Sequence, residues 1–275
     1  MTMPIELIIS QGRVGDRTGG AIPGALKTGH ALSRMLGIEP LVVGTAAPAQ
    51  EDDWSECLPA AEETLHALRD AVRDAFDRDA TPVLATNTCG ASIGTLPTVA
   101  ERFPDAVVLW IDAHGDFNTP ETTGSGYLGG MVVAAACGLW DSGHGAGLNP
   151  KQVVIVGGRD IDPDERTLLD QHGVTVLPPS ESTPARIDEI VAGRDVWIHV
   201  DWDVLQPGYI PAAYRVDAGM LPHEIAAIFA AIDPARVRGV ELAEFEDGDQ
   251  GIPSHLSVEL ILETFQALRL GGFGG

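Results

Sequence analysis

Positive charge is what this chain has least of: 17 Lys+Arg stand against 40 Asp+Glu, for a formal net charge of −23 over 275 residues. Holding a phosphate backbone needs a basic face, so nucleic-acid binding is excluded as a main function. Acidity on this scale serves solubility through self-repulsion. Cysteine is nearly as scarce. Cys57, Cys89 and Cys137 are an odd number without paired spacing, which excludes a disulfide framework and predicts reduced thiols in the cytoplasm. No apolar run nears the ~20 residues that a membrane span requires, so no membrane partner is expected. Residues 1–9 lack a basic region and a long apolar core, so they predict a first strand instead of a signal peptide. No linker or charge block divides the chain, and no fixed-period repeat runs through it. One domain over residues 1–275 is predicted, with 44% hydrophobic content to build its core.

What is present is alternation. Short apolar runs predict strands near residues 5–9, 41–43, 82–85, 107–111, 153–156, 174–177, 196–200 and 237–242. Helical patterns lie near 23–36, 61–77, 91–102, 130–137, 164–171, 184–191, 222–231 and 255–270. Strands alternating with helices predict an α/β fold of βαβ units, a parallel sheet with helices on both faces.

Two strand ends carry chemistry. The run Val107-Val-Leu-Trp-Ile111 reads as a strand buried on both faces, and Asp112-Ala-His-Gly-Asp116 follows it at once. The alternating spacing points Asp112, His114 and Asp116 the same way in extended chain. The run Val196-Trp-Ile-His-Val200 ends likewise in Asp201-Trp-Asp203. In a parallel sheet such ends meet in the crevice outside the carboxyl edge. Four aspartates and a histidine there are costly unless cations neutralise them, and the set exceeds what one divalent ion needs, so two ions are predicted.

Other stretches say less. The glycine-rich loop at residues 11–20 lacks the phosphate-loop pattern and reads as a plain loop. Gly124-Ser-Gly-Tyr-Leu-Gly129 fits Gly-x-Gly-x-x-Gly, but too far past its strand to bind a dinucleotide. Cys89 follows a short buried strand and precedes a helix, where the other two strand ends converge. A lone cysteine is usually an inert small hydrophobe; a helix N-terminus and a metal would both lower its pKa.

Together these stretches resemble the ureohydrolase family of arginases, agmatinases and formiminoglutamases, over most of the chain. Asp112-Ala-His-Gly-Asp-Phe-Asn-Thr-Pro-Glu-Thr-Thr-Gly-Ser-Gly126 is similar to its second metal motif and substrate loop, Asp201-Trp-Asp203 to its last metal motif, and Glu241-Leu-Ala-Glu244 to its guanidinium-binding element. The resemblance implies a three-layer αβα fold on an eight-stranded parallel sheet, two manganese ions, and hydrolysis at a guanidino carbon. It implies that Asp112 and Asp201 bridge both ions, that Asp116 completes one, and that His114 with Asp203 completes the other. Asp116 and Glu244 become the catalytic pair, Glu244 accepting from the guanidino group. Asn118, Ser125, Asp162 and Glu165 match the residues that hold an α-amino acid substrate. Family members are commonly trimers or hexamers, so a homo-oligomer is implied as well.

Two departures stand out. Cys89 occupies the place of the histidine ligand in the family's first metal motif, and manganese prefers imidazole or oxygen to soft thiolate. Gly129 stands where arginases carry a proton-shuttling histidine, and His144 is a distant substitute. Arginine's guanidinium is permanently charged and its leaving amine needs a proton. An Nω-hydroxyguanidine is less basic and relies less on a shuttle. The pattern thus resembles the branch that cleaves Nω-hydroxy-L-arginine to hydroxyurea and ornithine in antibiotic biosynthesis. An arginase or another guanidino-acid hydrolase, and a metal-poor member without chemistry, are the alternatives.

Overall fold

Apolar runs such as Val107–Ile111 form strands here because both of their faces are covered. The computed structural model describes residues 3–248 and 251–272. Met1, Thr2, Asp249, Gln250 and residues 273–275 of the expected domain lie outside the described residues. In chain order the elements are β1 (Ile5–Ser10), α1 (Ala21–Leu36), β2 (Leu41–Val43), α2 (Trp54–Ala60), α3 (Glu62–Asp77), β3 (Thr81–Ala85), α4 (Ser92–Arg102) and β4 (Val107–Ile111). There follow α5 (Val132–Ala136), β5 (Val153–Val156), α6 (Pro163–His172), β6 (Thr175–Leu177), α7 (Pro184–Val191), β7 (Val196–Asp201), α8 (Pro222–Ala231), β8 (Val237–Ala243) and α9 (Ser254–Gln266). Each expected strand is present, with at most a residue's difference at one end.

Successive side chains of a strand point to opposite sides. Val108 and Trp110 pack with Leu65, Leu68 and Leu96 of α3 and α4 in one core. Val107, Leu109 and Ile111 pack with Leu32, Ile187, Ile228 and Ile261 of α1, α7, α8 and α9 in another. The sheet is therefore the middle of three layers. Its eight strands are all parallel, in the order β2-β1-β3-β8-β7-β4-β5-β6. Parallel sheets need such double cover.

Three local features differ from expectation, the first being that the last helix, expected over 255–270, ends at Gln266. The segment 130–137 is a 3₁₀ turn, Gly129–Met131, followed by the short α5. The helix α2 was masked by Pro59 in its body and by the acids before it. Those acids cap it: Asp53 accepts from the Ser55 amide at 2.9 Å, and Glu56 reaches back to the Asp53 amide, a capping box.

The strand order places the carboxyl ends of β3, β8, β7 and β4 side by side. Ile111 pairs with Val200, so Asp112 and Asp201 leave the sheet as neighbours. Asp201 in turn pairs with Ala243, one residue before Glu244.

Candidate active site

The same small turn is built at two strand ends. Asp112 accepts from the His114 amide and Asp201 from the Asp203 amide, each at 2.7 Å. Short Asx turns of this kind bend the chain and bring the third residue over the first. His114 Nδ1 consequently lies 3.0 Å from Asp203 and 3.3 Å from Asp112. Asp203 is held from across the cleft by the Ala113 amide at 3.2 Å, and Asp112 by Trp110 Nε1 at 3.0 Å.

Asp116 and Glu244 both sit in left-handed backbone, with φ of 49° and 62°. For non-glycine residues this conformation costs about 1–2 kcal/mol. It is enforced locally: the Asp116 carbonyl accepts from Val133 at 2.9 Å, at the start of α5, and the Glu244 amide donates to Asn87 at 3.1 Å. Asp116 Oδ2 is buried and has no hydrogen-bond partner. A buried anionic oxygen without a donor is expensive unless a cation meets it.

Three overlapping groups of donors form at this rim: Cys89, Asp112 and Asp116; Asp112, His114 and Asp203; Cys89, Asp201 and Glu244. Within each, one ligand atom per residue lies within 4.8 Å of the others. The six residues expected as metal ligands are thus brought together, with Asp112 and Cys89 each common to two groups and Asp201 in one. The donor set suits divalent cations: carboxylates and imidazole for manganese or its relatives, with one soft sulfur.

The electrostatics point the same way. Burial raises the carboxyl pKa of Asp116, Asp201 and Glu244 well above the ordinary range, and neighbouring carboxylates add to it. Burial and Asp112 push Asp203 up to about 6. Burial alone would make His114 less basic, but its hydrogen bonds to Asp112 and Asp203 outweigh that and raise it. Burial would also raise Asp112, yet the His114 contacts hold it low. Cationic charge at the rim would let the remaining carboxylates ionise.

Cys89 is held from behind. Its Sγ lies 3.2 Å from His199 Nε2 and 3.4 Å from Asp201. His199 Nδ1 meets Glu241 at 3.0 Å, and Trp110 stacks on the imidazole at 3.6 Å, 4° from parallel. Glu241 also accepts from Ser92 at 2.7 Å, from Trp197 at 3.3 Å and from Thr95. The whole relay is buried. In the sequence His199 is marked only as a polar residue inside an otherwise apolar strand; the register sets it level with Glu241.

Above the rim lies a cavity of about 200 Å³ lined by Asn118, Ser125, Asp162 and Glu165, by Cys89, His114, Asp116, Asp201, Asp203 and Glu244, and by Arg17, Tyr127 and Tyr214. Ser125 is exposed at its mouth. Asp162 is the N-cap residue of α6 but makes no side-chain capping bond. Asn118 accepts from Thr122 at 2.9 Å. Glu165 is buried, and its carboxylate accepts from the Phe117 amide at 2.8 Å, bracing the turn between Asp116 and Asn118. Arg17, Tyr127 and Tyr214 were not legible in the sequence; Arg17 comes from the glycine-rich loop read as plain. His144 packs against His66, ring centroids 5.2 Å apart, and does not line the cavity.

Burial pushes the Glu165 carboxyl from 4.5 up to about 7, against the Phe117 hydrogen bond. A raised carboxyl pKa means the folded state holds the proton more tightly. That contribution is present at low pH and is lost as pH rises from about 4.5 to 7. In metal-stripped protein, Glu165→Gln is expected to gain stability relative to wild type on going from pH 4.5 to 8, by up to about 3 kcal/mol. Denaturant unfolding at the two pH values measures it; parallel pH profiles for the two proteins would refute the assignment.

Comparison with known proteins agrees with this geometry. The family profile described as Arginase family matches residues 10–266. The chain is 54% identical over 259 residues to an N(omega)-hydroxy-L-arginine amidinohydrolase from Streptomyces lavendulae, covering 94% of this chain and 95% of that one. Among solved structures, arginase from Bacillus subtilis superposes with a TM-score of 0.82 at 23% identity, covering 98% of each chain. Arginase from Bacillus caldovelox does so with a TM-score of 0.80 at 24% identity, covering 97% of this chain and 98% of the other. With a profile match over nearly its whole length and the sheet of those structures, the chain belongs to the arginase family.

Proposed function

We propose that this protein is a hydrolase of Nω-hydroxy-L-arginine, releasing hydroxyurea and L-ornithine, with residues 1–275 forming one catalytic domain. The observation that carries the reading is the set of overlapping donor groups on the floor of a cavity walled by Asn118, Ser125 and Asp162. The 54% identical relative supports the choice of substrate.

Asp112 and Asp201 would serve both of two manganese ions, Cys89 and Asp116 completing one and His114 and Asp203 the other. Two such ions, when bound, supply Lewis acidity and make water nucleophilic near neutral pH. The chain's own residues do the rest. Glu244 accepts a hydrogen bond from the guanidino group and fixes its carbon over the rim. As the oxygen of the attacking water bonds to the guanidino carbon, Asp116 takes a proton from it on the carboxylate oxygen that does not face a cation. That proton passes to the ornithine nitrogen as its bond to the guanidino carbon breaks, and the second proton of the water ends on a nitrogen of the departing hydroxyurea. Asn118 and Ser125 hold the substrate's α-carboxylate, and Asp162 its α-ammonium. Ser125 Oγ already accepts from the Tyr127 amide at 3.2 Å, which leaves its hydroxyl proton free to donate. The protein is read as a cytoplasmic enzyme; no described helix is long and apolar enough to cross a membrane.

The test is a panel of Nω-hydroxy-L-arginine, L-arginine and agmatine with added manganese. Turnover is expected for the hydroxylated amino acid well above the others. Ser125→Ala and Asp162→Ala should raise KM more than they lower kcat, since these contacts persist from ground to transition state. Each lost charge-assisted bond is worth roughly 1.5–3 kcal/mol. Agmatine serving as well as the amino acids would sink the assignment of Asn118, Ser125 and Asp162.

A further inference from the structure

We infer that Tyr127 determines substrate choice in this site: its ring takes the space that a side chain at residue 129 would need, and its phenol oxygen receives the hydroxyl of the hydroxylated guanidino nitrogen. This inference rests on the function proposed above.

The first observation is steric. A Cβ built on Gly129 would lie 2.8 Å from Tyr127 Cζ and 3.1 Å from Cδ1, and nearer still to Cε1. Real side chains do not approach so closely, so the tyrosine ring and any side chain at 129 exclude each other. The ring is fixed where it stands. Tyr214 packs on it with centroids 5.0 Å apart, and the Arg17 guanidinium lies 5.2 Å over it.

The second observation is a count of hydrogen bonds. Tyr127 donates its hydroxyl proton to Glu244 Oε1 at 3.0 Å. The same Oε1 accepts from the Cys89 amide at 2.9 Å. A carboxylate oxygen has two lone-pair positions, so Oε1 is filled from within the protein. Only Oε2 remains for substrate. An unmodified guanidinium is held best by two parallel N–H bonds to both oxygens of a carboxylate, which this glutamate no longer offers. An Nω-hydroxyguanidine fits what is left. One N–H reaches Oε2, and the N–OH donates to the phenol oxygen, whose own proton is already committed to Glu244. A phenol, ordinarily titrating at about 10, keeps its proton at neutral pH. A site built to bond a substrate hydroxyl discriminates strongly against the analogue without it, because buried polar groups are then left unpaired.

The experiment has two arms. In the first, kcat/KM for Nω-hydroxy-L-arginine and for L-arginine is measured in wild type and in Tyr127→Phe, which keeps the ring. The ratio of the two is expected to fall at least about tenfold in the variant, through loss on the hydroxylated substrate, with the melting temperature and metal content kept. In the second arm, Gly129→Ala is introduced into wild type and into Tyr127→Ala. It should lower the melting temperature clearly in the first background and little in the second. An unchanged ratio in Tyr127→Phe, or equal melting losses in both backgrounds, overturns the inference while the proposed function stands. A wild type that prefers L-arginine overturns the proposed function and this role with it.

Discussion

Asp112→Asn and Asp201→Asn are each expected to lower turnover by at least about a thousandfold, a barrier change of ~4 kcal/mol. Each removes a negative charge from the centre of the donor cluster, where Asp112 belongs to two donor groups and Asp201 faces Cys89. The two variants differ in a second, diagnostic way. Both oxygens of Asp112 accept protein hydrogen bonds, from the His114 amide and from Trp110 Nε1. An asparagine there must turn its amino group toward one of those donors, which costs about 1–3 kcal/mol of stability. Asp201 accepts from the Asp203 amide through Oδ1 alone, and its Oδ2 faces Cys89 Sγ. Asp112→Asn should therefore melt lower than Asp201→Asn while both are inactive. Activity within about tenfold of wild type in either, only ~1.4 kcal/mol, would refute the two-ion site.

Loss of Cys89 should empty one ion position and spare the other. Cys89→Ala is expected to retain about one ion per chain at manganese concentrations that saturate wild type, by metal analysis after gel filtration, against two for wild type. Cys57→Ala and Cys137→Ala should retain the wild-type content, because neither thiol belongs to a donor group at the rim. Burial first, and then Asp201 and Asp116, raise the Cys89 thiol well above its usual pKa. A ligating cysteine must give up that proton, so affinity at this position should fall as pH drops. Cys89→His replaces sulfur by imidazole, which suits manganese better, and should hold two ions at least as tightly. Unchanged metal content in Cys89→Ala would mean that the thiol only packs beside the site.

The sheet was legible because strands such as β4 and β5 are uninterrupted apolar runs and the others are mostly apolar, and a strand of that kind has few other places to go. Asp112, His114 and Asp116 were legible because alternating spacing directly after such a run survives any detail of the turn. The support for Cys89 was not. His199 and Glu241 are distant in sequence and meet only through the β7–β8 register, which one sequence does not reveal. Tyr127 lies one residue past the stretch that carries the family resemblance, and its meaning depends on Gly129 beside it and on Glu244 across the cavity. Glu165 was expected to touch substrate; it lines the cavity, and its bond to the Phe117 amide adds a bracing of the backbone turn that one sequence does not reveal. The helix α2 escaped notice because Pro59 reads as a breaker, while its capping box becomes visible only once the helix exists.

Cys89 leaves β3, Asp112 leaves β4, Asp201 ends β7 and Glu244 follows β8, and the strand order sets β3 against β8, elements far apart along the chain. That arrangement has a kinetic consequence. Parallel pairings between distant segments are closed late and slowly, because chain entropy is lost before contacts repay it. The complete donor set cannot exist until those crossovers have been made. An ion gathered by this rim therefore has little to hold in a half-formed chain, and its grip is added after the rate-limiting ascent. An ion held there would act as a latch on the finished sheet and not as a seed for it, and its removal is expected to speed unfolding while leaving the refolding rate nearly alone.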